Sequence, residues 1–229
     1  MKRIINCAII LLVFWGCNQG ADKYQNEPVG VSGKEDCFID HFYDAKSLSW
    51  VYDGLSLNDD HVFLCVKVNG EICSSYKTGI LRESLGDSGR EYPYRTEPSR
   101  ALFNRFQRVE VTSSCLFNGM QPGESLGKIV SLYGATAYPE IINKVGGYKS
   151  QKLDGYVKNA PPFWMQNQDY FWYHKKLDEL NKEDLFLLDP TLLLCFDEMP
   201  EEKGQTLTIT LTDDAGKELS ITGTFTFPE

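Results

Sequence analysis

The chain has 229 residues, 42% of them hydrophobic and 13% aromatic, with a formal net charge of −9. That apolar content places it outside the disordered class, and the length suffices for one substantial core or two small ones. An acidic chain with no basic cluster is repelled by phosphate backbones and acidic headgroups alike, so nucleic-acid binding and purely electrostatic membrane attachment are excluded from the expected functions.

Lys2 and Arg3 give a positive start, and Ile4 to Trp15 is apolar apart from Asn6. This run falls short of the roughly 20 residues that cross a bilayer as a helix, yet fits the apolar segment of a secretory signal. Gly16 then sits directly before Cys17. The stretch "IILLVFWGCNQGADK" resembles the lipobox of bacterial lipoproteins, departing from it in the aromatic pair Phe14 and Trp15. The resemblance implies cleavage before Cys17, a diacylglycerol on its sulfur, and a place in the cell envelope, at the outer membrane. Several acyl chains hold such a protein stably, at about 0.8 kcal/mol per buried CH₂. Residues 1–16 then read as a signal peptide and 17–36 as a polar, flexible tether. The domain expected beyond it is 37–229. Five further cysteines, Cys37, Cys65, Cys73, Cys115 and Cys195, leave at least one thiol free in an exported chain, and no pair has C-x-x-C spacing.

Along the domain, "WVYDG" at Trp50 reads as a strand. "HVFLCVKVNGEICSSY", residues 61–76, reads as a hairpin turning at Asn69-Gly70. A three-residue loop there pairs Val66 with Ile72 and sets Cys65 opposite Cys73, at a separation a disulfide spans. Residues 77–105 read as a long loop rich in charge, Gly and Pro. Within it, "GDSG" at 86–89 resembles the nucleophile motif of chymotrypsin-like proteases, but the histidine context and spacing that chemistry needs are missing, so a polar turn is the expectation. "RVEVTSSCLF" from Arg108 reads as a strand. "GESLGKIVSLYG" has apolar residues at helical spacing, and "PEIINKVGG" enters on Pro139 and leaves on paired glycines, so two helices are expected, with a third short turn around Lys175 to Leu180.

Residues 160–176, "APPFWMQNQDYFWYHKK", gather Phe163, Trp164, Tyr170, Phe171, Trp172 and Tyr173 around Gln166, Asn167, Gln168 and Asp169. Flat rings beside amides suit a sugar ring or a protein hot spot, and equally suit a loop pinned by its own aromatics. Trp164, Tyr170, Trp172, Tyr173, Gln166 and Asn167 are the candidate binding residues. Pro190 splits "LFLLDPTLLLCF", which favours a strand over Thr191 to Phe196. At the C-terminus, Leu207, Ile209 and Leu211 alternate with threonines, and Leu219, Ile221, Phe225 and Phe227 repeat the pattern after "DDAGK". That is a hairpin with one wet and one buried face, and Gly223 marks a bulge.

Many short strands with turn signals predict a mainly β fold, an Ig-like or Greek-key β-sandwich with a helical and looped insertion. "QPGESLGKIVSLYG", "LNKEDLFLLDPTLLLCF" and "TLTITLTDDAGKELSITGTFTF" resemble uncharacterised single-domain β-sandwich lipoproteins of Bacteroidetes-type envelopes. The resemblance implies an extracytoplasmic sandwich and transfers no functional residue.

His41, His61 and His174 lie far apart. Cys37, Asp40 and His41 are close enough to share a metal, though a strand edge is the commoner meaning, and the acidic pairs match no EF-hand loop. No catalytic residue, cofactor or metal is therefore expected. The expected function is a lipid-anchored, non-catalytic binding module for a glycan or protein partner. A structural or assembly component of an envelope complex is the alternative, and a carboxylate-based hydrolase a distant one.

Overall fold

The computed structural model describes residues 37–51, 55–58, 61–87, 100–143 and 171–228. Two sheets face each other as a β-sandwich, the expected fold class. The first sheet is built from β1 (His41–Trp50), β2 (Ser56–Asn58), β3 (His61–Ile72), β4 (Arg100–Leu102), β6 (Val130–Thr136), β7 (Phe171–Lys176) and β8 (Thr191–Phe196). Its order is β4-β1-β3-β8-β6-β7, with β2 paired to β3. All its pairs are antiparallel except β1 with β4. The second sheet holds β5 (Phe106–Ser113), β9 (Gly204–Asp213) and β10 (Glu218–Thr226), in the order β10-β9-β5.

The small sheet follows its alternation. Leu207, Ile209 and Leu211 are fully buried between the sheets, each contributing about 1.5–3 kcal/mol. The threonines between them face water, and the Thr206–Thr224 and Thr208–Thr222 hydroxyls pair at 3.0 and 2.8 Å. The centre of the large sheet is buried on both faces. Val62, Leu64 and Val66 of β3 and Leu192, Leu194 and Phe196 of β8 pack into the core between the sheets. Phe63, Cys65, Leu193 and Cys195 pack into a second core on the outer face, which Leu81 and Leu85 also join. That is why "HVFLCV" and "TLLLCF" are uninterrupted apolar runs: a strand with no wet face has no polar residue to alternate.

Six expectations need correction. Residues 61–72 form one strand, not a hairpin, because β3 finds long-range partners on both sides, β1 and β8. Asn69 and Gly70 lie within it, beside the irregularity in β1 between Ala45 and Ser47. A Cβ on Gly70 would stand 2.6 Å from the Asp44 carbonyl oxygen, so this glycine serves a close strand approach, not a turn. Cys65 and Cys73 are both free. Eight residues of extended chain separate them by about 26 Å, far beyond disulfide reach.

"GESLGKIVSLYG" supplies strand β6 where a helix is expected: its apolar residues serve two faces between β8 and β7 rather than one helical stripe. The long loop opens instead with helix α1 (Ser75–Leu85), capped by the Ser74 hydroxyl, which accepts from Lys77 N at 3.3 Å, and closed at Gly86, φ +68°. The expected turn near Lys175 to Leu180 is β7 followed by a single 3-10 turn, Leu177–Glu179. Pro139 lies in the short helix α2 (Tyr138–Asn143). At Gly223 the ladder runs on without a bulge. A Cβ there would meet Phe225 and Trp50, whose rings contact edge-on at 5.0 Å between centroids.

Candidate functional site

Of the six candidate binding residues, Trp164, Tyr170, Gln166 and Asn167 lie outside the described residues, as does Cys17. Trp172 and Tyr173 do not offer rings to solvent. They occupy successive positions of β7 and point to opposite faces, Trp172 into the outer core and Tyr173 into the core between the sheets. The Tyr173 hydroxyl donates to the Asp184 carbonyl oxygen at 2.9 Å, which is how a buried phenol is satisfied. The Asp184 carboxylate accepts in turn from Lys175 Nζ at 2.6 Å. These are packing roles.

"GDSG" is likewise structural where it is described. Gly86 ends α1, and the Asp87 carboxylate is fully buried. It accepts from the backbone N–H groups of Phe38 and Ile39, at 2.7 and 2.9 Å. Arg82 donates to the carbonyls of Ile39 and Asp40, at 3.0 and 2.8 Å. Together they staple the first described residues to the end of the helix. Cys37 Sγ approaches Asp40 Oδ1 at 3.8 Å, but His41 does not join them in a ligand cluster.

The grouping of chemically able side chains lies elsewhere, at one end of the outer face of the large sheet. Register assembles it. Phe63 pairs with Cys195, Cys195 with Ser131, and Ser131 with Lys176, so these four form one row across β3, β8, β6 and β7. One step outward, His61 opens β3 and Asp197 follows the end of β8, so period two brings both to the face that carries Cys195. One step inward stand Tyr133 and His174, paired in register and stacked at 3.9 Å with an interplanar angle of 7°.

The Asp197 carboxylate accepts from the Ser131 hydroxyl at 3.0 Å and forms an ion pair with Lys176 Nζ. Its backbone N–H donates to the Ile129 carbonyl oxygen at 3.0 Å, fixing where it leaves the strand. Burial, with the Asp197 charge adding to it, pushes the Cys195 thiol up to about 12. Burial lowers His174, against an opposing pull from Asp197, and raises the Tyr133 phenol. A thiol so placed stays protonated at neutral pH and is no nucleophile by itself, despite the imidazole and carboxylate beside it. What the cluster does offer is donor atoms: a sulfur, an imidazole nitrogen and a carboxylate oxygen on one face.

Sequence reasoning noted His61 and Cys195 singly and Asp197 only as one of the acidic pairs, Asp197–Glu198, and had no means of joining them. The available signal was positional. His61 begins one uninterrupted apolar run, and Asp197 ends another with Cys195 two residues before it. Only the antiparallel pairing of those two runs makes neighbours of them. No protein-family model, curated protein or solved structure matches the chain.

Proposed function

We propose that the protein is a lipid-anchored component of the cell envelope, held at the outer membrane through Cys17, and acts there as a non-catalytic binding module for a partner protein. The observation that carries this is the staple at the start of the domain. The compact unit closes over Lys34–Glu229. Its first described residues are fastened by four side-chain hydrogen bonds, two accepted by Asp87 and two donated by Arg82. A domain tethered at residue 17 is pulled at this end, and buried, charge-assisted bonds are what resists fraying there. Among the described residues no helix is long and apolar enough to cross a membrane.

A protein partner is favoured over a glycan for two reasons. Two of the rings that made a sugar site attractive, Trp172 and Tyr173, are core residues. Tyr76 and Ile80, one turn apart on α1, are instead 81% and 49% exposed, an apolar pair of the kind partners cover. Two measurements test the reading. Replacing Cys17 by Ser moves the protein from the membrane fraction to the soluble fraction. A photo-crosslinker at position 76 captures a defined envelope protein, and Ile80→Glu abolishes that capture. Retention of the Cys17→Ser protein on membranes defeats the anchoring, and crosslinks indifferent to Ile80→Glu defeat the surface.

A further inference from the structure

We infer that His61, Cys195 and Asp197 form a binding site for one divalent transition cation of the zinc type, with a fourth coordination position open to solvent. One nitrogen, one sulfur and one oxygen, a single ligand atom from each side chain, all lie within 4.8 Å of one another. Around Zn²⁺, with bonds of about 2.0–2.3 Å, tetrahedral donors stand roughly 3.3–3.7 Å apart. Side-chain rotation closes that gap, because His61 is exposed and its ring meets Phe63 only edge-on.

The mixture of donors selects the ion. A lone carboxylate does not satisfy Ca²⁺ or Mg²⁺, which require six or more oxygens. Thiolate, imidazole and carboxylate together suit zinc, and three protein ligands with an open position is a recurring arrangement for it. Two independent features point to the same place. The Cys195 side chain is 1% exposed, and its sulfur has no hydrogen-bond partner among the described residues. The Asp197 bonds from Ser131 and Lys176 both fall on Oδ2, leaving Oδ1 without one among the described residues. A carboxylate held on one oxygen and vacant on the other is how outer partners orient a metal ligand. Binding replaces the S–H bond by an S–Zn bond and releases the proton to solvent. Thiolate and carboxylate then offset the two charges of the ion, and the Lys176 ammonium on Asp197 Oδ2 leaves the cluster with one net positive charge.

Metal binding by these three side chains requires neither the envelope address nor the partner surface, so its test uses neither lipid nor partner. The chelator-treated, reduced full chain is titrated with Co²⁺, whose thiolate complexes carry a near-ultraviolet charge-transfer band. The expected result is saturation at one equivalent and loss of the band when Zn²⁺ is added. Cys195→Ser removes the band, and Cys115→Ser, at a thiol outside the cluster, leaves it unchanged. His61→Ala touches only an exposed side chain, leaves both cores intact and weakens Co²⁺ binding at least tenfold, as does Asp197→Asn. Ser131→Ala weakens it by a smaller factor. Absence of a saturable band, a band lost in Cys115→Ser, or unchanged affinity in His61→Ala overturns the inference, and each leaves the anchoring proposal untouched.

Discussion

Replacing Gly134 by Ala is a test in which the sign of the effect carries the information. Gly134 lies within β6, directly opposite Tyr173 of β7. In an ordinary strand interior, alanine is better than glycine by about 0.5–1 kcal/mol, because less backbone freedom is lost on folding. Here the Tyr173 ring lies across the glycine. An ideal Cβ would stand 2.3 Å from both Cζ and Oη of that ring and 2.8 Å from Cε1. Favourable carbon contacts lie near 3.5–4.0 Å, so the ring must retreat by more than about 1 Å. Tyr173 is fully buried, and its hydroxyl is committed to the Asp184 carbonyl. Overpacking costs about 1–3 kcal/mol, and breaking the buried hydrogen bond about another 1. Net of the glycine gain, the variant loses about 1–3 kcal/mol, read as a lower urea midpoint at unchanged slope. In a Tyr173→Ala background the same change becomes neutral or stabilising, giving a coupling energy of about 2 kcal/mol or more. A stabilised Gly134→Ala protein, or the same loss in both backgrounds, refutes the packing argument.

Asp87→Asn presents an amide N–H₂ toward one of the two backbone donors it now accepts from, and costs about 2 kcal/mol. Amide exchange at Phe38 and Ile39 accelerates with it, and unchanged exchange at those two sites refutes the staple. Burial lifts Asp189 from 3.8 to about 6, against hydrogen bonds from Thr191 that pull it down. Because the folded state holds this proton more tightly, the Asp189 contribution is fully present below about pH 4 and is lost as pH rises through 6. Asp189→Asn removes that dependence, so the variant gains on the native protein by up to about 3 kcal/mol between those limits, as urea unfolding across the pH range shows; parallel profiles refute it. Among the described cysteines, Cys115 alone escapes burial, so a thiol reagent labels it first in the native state, and Cys37, Cys65, Cys73 and Cys195 react only on unfolding, as peptide mass mapping shows.

What the sequence made legible was set by local contrast. The C-terminal hairpin declares itself because each inward leucine or isoleucine has an outward threonine beside it, and the Asp213 to Lys217 turn supplies its own hydrogen bonds. Pro190 located the start of β8 for the equally local reason that it cannot donate to a ladder. Where both faces of a strand are buried, the contrast vanishes. The Val130–Thr136 strand then mimics a helix, and the Asn69-Gly70 pair looks like a turn, although in the fold it lies beside Asp44 of a strand distant in sequence. Helix α1 escaped notice because Gly79 and its charged residues dilute the apolar stripe, although Ser74 and Gly86 bracket it with ordinary capping chemistry.

The donor cluster stayed hidden for the same reason in stronger form. Its members belong to β3 and β8, and their proximity depends on a pairing register that neither strand encodes alone. In hindsight the two apolar runs contain the constraint. The runs buried on both faces, Val62–Val66 and Leu192–Phe196, leave room for polar residues only at their ends, so their antiparallel pairing brings the polar start of one against the polar end of the other. His61 meets Asp197 on that principle, and the alternation that buries Cys195 two residues earlier turns the end of a packed core into a set of ligands.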